Sequence, residues 1–74
     1  MIPRYNYDDI VSFSIIDEWG FEKVLTGKVY IIDENGTFEQ HKEVSYDIMV
    51  DDYNGNPCLF KHIVESRVYI PKSM

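Results

Sequence analysis

Along most of this chain hydrophobic and polar residues alternate one for one, the period of a half-buried strand rather than of a helix. In "DIVSFSII" Val11, Phe13 and Ile15 fall on one face and Ser12 and Ser14 on the other, which predicts a first strand. "DEWG" follows as a turn, with Gly20 able to take the positive φ that other residues resist. "FEKVLTGKVYIIDE" is too long for one flat strand, and Gly27 in its middle predicts a bulge or sharp bend that lets a sheet curl. Beyond it, Val29 and Ile31 are expected on one face and Lys28 and Tyr30 on the other. "DENG" signals a turn. "TFEQHKEVS" is the least patterned piece and is expected to be the longest loop, with room for a short strand or one helical turn.

Alternation resumes in "YDIMVDD", where Tyr46, Ile48 and Val50 oppose Asp47, Met49 and Asp51. "YNGN" is an Asn-Gly hairpin signal between two apolar runs, and Pro57 opens the partner strand, where its missing N–H does least harm. That strand is "CLFKHI". Strict alternation sends Cys58, Phe60 and His62 one way and Leu59, Lys61 and Ile63 the other. Each set carries one polar residue, so alternation leaves open which of them faces the core; the favoured arrangement has Cys58 and Phe60 inward, His62 at the rim and Lys61 in solvent. "VES" reads as one 3-10 turn before the closing strand "RVYI", which Pro71 ends. Five short strands with regular turn signals predict an all-β, antiparallel small barrel or sandwich forming one domain over residues 1–74.

Seventy-four residues lie near the lower limit for a chain that buries its own core, although 45% hydrophobic and 15% aromatic content is ample for one. Modest stability, or support from self-association as a homo-oligomer, is therefore expected.

The order of these signals resembles an SH3-like barrel of the KOW or Tudor type. "YDDIVSFSI" stands for the entering strand, "LTGKVYIID" for a second strand that bends at Gly27, Lys28 and Val29, and "YDIMVDDYNG" with "CLFKHI" for the tight hairpin. "VES" and "RVYI" stand for the 3-10 turn and the last strand. The likeness covers roughly residues 7 to 70, and the chain also looks like short barrel proteins of Gram-positive bacteria and their phages. The resemblance implies a five-stranded barrel and a non-enzymatic binding module. Tudor-type modules capture a cation in a cage of loop aromatics. By loop position, the partner-binding candidates are Trp19, Phe21 and Tyr53, with Asp17, Glu18 and Asp52 as anionic partners.

Charge shapes the choice of partner. The formal net charge is −6, and acids recur in pairs where turns are expected, as ordinary solvation of loops would place them. The loops that are basic in RNA-binding KOW proteins here carry Asp17, Glu18, Asp51 and Asp52, which argues against nucleic acid. Acidic mimicry of nucleic acid is a further reading of the same charge. Lys28, Lys61, His62 and Arg67 are the candidates for contacting an anion, such as a signalling nucleotide sequestered by the protein; as ordinary surface charge they would need no ligand.

Trp19 in a turn is unusual, because turns prefer small polar residues. It either folds back over an open end of the barrel or stands out as an anchor for a protein partner. Tyr53, Tyr5 and Tyr7 carry the same two readings, the structural one for Tyr5 and Tyr7 being to dock the N-terminal arm. A lone cysteine forms no internal disulfide; Cys58, His62 and His41 are the possible metal ligands, but Cys58 and His62 in one strand would stand roughly 13 Å apart, too far to bind one ion. No metal, cofactor or catalytic constellation is expected, and no nucleotide-binding or nucleophile motif occurs. The opening "MIPRYNYDDI" has no apolar core of signal-peptide length and no run approaches the roughly 20 residues that span a bilayer, so a cytoplasmic, membrane-free protein is expected.

Overall fold

A computed structural model describes residues 2–34 and 43–71. Strands β1 (Ile10–Ile16), β2 (Glu22–Asp33), β3 (Ser45–Tyr53) and β4 (Asn56–Val64) form one antiparallel sheet in sequence order, and a 3-10 turn, η1 (Glu65–Arg67), follows. The expected closing strand is reduced to a single antiparallel bridge, Ser12 to Tyr69, on the free edge of β1. Ser12 N–H donates to the Tyr69 carbonyl at 2.7 Å and Tyr69 N–H to the Ser12 carbonyl at 2.9 Å. Arg67, expected to start that strand, instead ends η1.

The sheet is strongly curled. β2 pairs with β1 through Glu22–Lys28 and with β3 through Lys28–Asp33, so it passes from one neighbour to the other at Lys28. As a result the rings of Phe13 on β1 and Phe60 on β4 meet edge to face, with centroids 5.4 Å apart. In a flat sheet these strands would lie roughly 14 Å apart. The concave face carries the core: Val11 and Phe13, Leu25 and Val29, Tyr46, Ile48 and Val50, and Ile63, joined by Tyr5, Val44 and Val68 from outside the strands.

The alternation of β1 and β3 is as the residue pattern predicts, with Val11, Phe13, Tyr46, Ile48 and Val50 buried. Elsewhere three irregularities shift the register. The first falls between Val29 and Ile31, so Tyr30 is the extra residue, and Gly27 sits in a regular ladder position opposite Val11. Ile31 therefore does not share the face of Val29: it is exposed, while Ile32 packs against the core. Gly27 has a different purpose, because a Cβ there would collide with the Met49 carbonyl. The second shift lies between Val50 and Tyr53, beside the hairpin turn.

The third corrects the fourth strand. Tyr46 faces Ile63 and Ile48 faces Phe60, so β4 carries one residue too many at Lys61–His62. Parity reverses there, and Cys58, Phe60 and Ile63 all point to the concave side. His62 takes φ 60° and its N–H donates to Asp47 Oδ1 at 3.0 Å. The expected "DENG" turn and "TFEQHKEVS" loop fall largely on residues 35–42, outside the described residues.

Candidate functional site

The end of the β1–β2 hairpin is built by one carboxylate. Beyond the last ladder pair, Ile16 with Glu22, Asp17 N–H donates to the Phe21 carbonyl at 2.9 Å and Gly20 N–H to the Asp17 carbonyl at 3.0 Å. Gly20 takes φ 86°, which completes a three-residue loop of Glu18, Trp19 and Gly20. Asp17 Oδ1 then accepts the backbone N–H groups of both Trp19 and Phe21, each at 2.9 Å. The backbone under both aromatic residues is fixed, yet their side chains are left outside: Trp19 is 75% exposed and Phe21 69%. Trp19 therefore does not fold back over the sheet.

The β3–β4 hairpin ends beside it. Asn54 and Gly55 both have positive φ, 56° and 88°, as a type I′ turn requires, and Asp52 Oδ1 accepts Gly55 N–H at 2.8 Å. The half-buried Tyr53 ring stands edge-on to Phe60 at 5.3 Å, and Phe60 in turn meets Phe13. Lys23 Nζ lies 4.9 Å above the centre of the Tyr53 ring. This contact, which sequence reasoning missed, joins the two hairpins and occupies the tyrosine. Of the three loop aromatics, Trp19 and Phe21 are presented to solvent and Tyr53 packs against the core. No cavity forms among the described residues.

The acids have local partners. Among the described residues the carboxylates of Asp9, Asp17, Glu43, Asp47, Asp52 and Glu65 each accept a backbone N–H from another residue. Asp17 and Asp52, assigned as anionic partners from loop position, are thus loop-holding groups. Glu18, Glu22 and Asp51 are exposed at the same end.

The anion-site candidates are not gathered. Lys28 is on β2, Lys61 and His62 are exposed in the β4 bulge, and the Arg67 guanidinium donates to the Ser14 carbonyl on β1. Among the described residues no group of three or more His, Cys, Asp or Glu stands together as metal ligands would, and His41 lies outside them.

A second polar cluster was not legible as such. Tyr46 Oη donates to Glu65 Oε2 at 2.6 Å and accepts the N–H groups of Arg4 and Tyr5, both at 3.2 Å. Arg4 N–H also reaches Glu65 Oε2 at 2.8 Å, and Tyr5 Oη donates to the Val68 carbonyl at 3.0 Å. Burial and the Glu65 carboxylate push the Tyr46 hydroxyl up to about 12. Of the two readings open for these tyrosines, Tyr5 takes the one that docks the N-terminal arm, whereas Tyr7 is exposed.

No helix among the described residues is long and apolar enough to cross a membrane. No protein-family model, curated protein or solved structure matches the chain.

Proposed function

We propose that the chain is a non-enzymatic protein-binding module built on an SH3-like barrel of the KOW or Tudor type. The fold reading is supported by the transfer of β2 from β1 to β3, by η1 before the C-terminal segment, and by the Ser12–Tyr69 bridge, which adds that segment to β1 as a fifth strand would. The Phe13–Phe60 contact supports closure of the sheet.

The observation that carries the function is the pairing of a fixed loop with two exposed aromatic side chains, Trp19 and Phe21. Rigid aromatic groups lose little freedom on docking and supply large contact areas, the properties of interface hot spots. Glu18, Glu22 and Asp51 around them favour a partner with basic residues at the rim of the contact. Two alternative readings have less support. Sequestering an anionic nucleotide would draw on Arg67, which is engaged with Ser14, and on Lys28, Lys61 and His62, spread over β2 and β4. Charge mimicry of nucleic acid asks for carboxylates turned outward on one face, whereas six here hold backbone N–H groups around the molecule.

The test is affinity capture from the native host's extract with the intact protein, Trp19→Ala and Asp17→Ala. A partner held by the intact protein is expected to be lost with Trp19→Ala, by about tenfold or more in affinity for a hot spot. Asp17→Ala, which loosens the loop and keeps both rings, is expected to weaken the same complex less. Equal capture by Trp19→Ala would sink the assignment.

A further inference from the structure

The convex face of the β1–β2 hairpin, where solvent-facing positions are normally polar, exposes three large apolar side chains among its polar ones. The register places Ile10, Ser12, Ser14 and Ile16 of β1 on this face, opposite Lys28, Thr26, Val24 and Glu22 of β2. Ile10 is 47% exposed, Ile16 67% and Val24 57%. Tyr69, bridged to Ser12, shares the face and is also exposed. In the middle, Ser12 is already buried, and its Oγ lies 2.8 Å from the Oγ1 of the exposed Thr26, so the two hydroxyls satisfy each other and covering Thr26 strands neither.

The two ends of the face are complementary to each other. A second copy laid against it, turned by a two-fold axis in the plane of contact and across the strands, reverses the strand direction. β2 then faces the partner's β2, and Lys28 meets the partner's Glu22 at both ends. β1 faces the partner's β1, and Ile10 meets the partner's Ile16, also twice. Ser14, Val24 and Thr26, beside the already buried Ser12, come together at the axis, with Val24 facing the partner's Thr26. Sheets packed face to face in this way sit about 10 Å apart, within reach of Lys and Glu side chains from both sides.

We infer that this face is an isologous dimer interface, occupied by a second copy of the chain. The pattern is self-complementary in charge, through Lys28 and Glu22, and at the two isoleucines, which a two-fold contact requires and an unrelated partner does not. The face is two strands wide and about 20 Å long, short of the roughly 800 Å² per partner of a standard interface, so the dimer is weak and concentration-dependent.

Sedimentation velocity of the intact chain, from micromolar to submillimolar concentration at low salt, tests it. A reversible monomer–dimer equilibrium is expected. Lys28→Glu or Glu22→Lys alone should raise the dissociation constant about tenfold or more by setting like charges together. The double exchange, and an equimolar mixture of the two single variants, should restore association. Val24→Asp should abolish it, and Trp19→Ala should leave it unchanged, which separates this interface from the proposed docking loop. These side chains are exposed, so each variant should keep the circular dichroism spectrum of the parent. A monomer at every concentration would overturn the inference, as would a dimer indifferent to the single changes or one that the double exchange does not restore.

Discussion

At His62 a residue chosen for neither strand nor turn adopts φ 60° inside a strand. A left-handed conformation costs a side-chain-bearing residue roughly 1–2 kcal/mol, and here it is over-determined by Asp47 gripping the N–H and by Ile63 seated in the core beyond it. The sequence motif that looked like Cys–His chemistry is therefore a backbone device that reverses parity so that Phe60 and Ile63 both reach the core. His62→Gly removes the steric cost while glycine adds roughly 0.5–1 kcal/mol of unfolded-state freedom, so a net gain of up to about 1 kcal/mol is expected. His62→Val should lose at least about 1 kcal/mol, because a β-branched side chain fits the left-handed region worst. Urea midpoints measure both, and a more stable valine variant would mean that the bulge does not persist.

At the scale of elements, what was legible followed from period and turn chemistry. Val11 and Phe13 of β1 and Tyr46, Ile48 and Val50 of β3 keep the expected alternation because each set lies over a single core face, and Asn54–Gly55 forms the expected turn because both residues tolerate positive φ. What was not legible followed from the bulges at Tyr30 and Lys61–His62. Neither carries Gly, Asn or Asp to announce it, and each flips every side chain beyond it, as with Ile31 and Ile63. The site was legible in the same proportion: Trp19 beside Gly20 marks an odd turn in the sequence, but the engagement of Tyr53 by Lys23 depends on two hairpins distant in sequence. Gly27 was noticed for its bend, yet it is required by the approach of β3. Gly27→Ala drives a methyl group into the Met49 carbonyl and should cost about 1–3 kcal/mol, read from a urea melt. An unchanged midpoint would mean that β2 and β3 separate there freely.

The whole molecule is tied together at Tyr46, where the N-terminal arm, β3 and η1 converge on one hydroxyl and one carboxylate. Tyr5 extends the tie to the C-terminal segment through the Val68 carbonyl, and its ring meets Tyr46 edge to face at 5.6 Å. Arg4 and Tyr5 at one end and Val68 at the other are thus held to the curled sheet and to each other by contacts far apart in sequence. The arrangement has a pH signature. The folded-state value of Tyr46, about 12, lies above the ordinary tyrosine value near 10, so the folded state holds the proton more tightly than the unfolded chain. The resulting stability is fully present below pH about 10 and is lost as pH rises from there through about 12. Tyr46→Phe removes the acceptor of the buried Tyr5 N–H, so it should lose about 1–3 kcal/mol at neutral pH. It should also lack the part of the alkaline decline that belongs to Tyr46. Denaturant midpoints of both proteins measured from neutral pH to pH 12 are expected to converge. Parallel curves over that range would show that ionisation of Tyr46 is not coupled to unfolding and that the arm is held by other means.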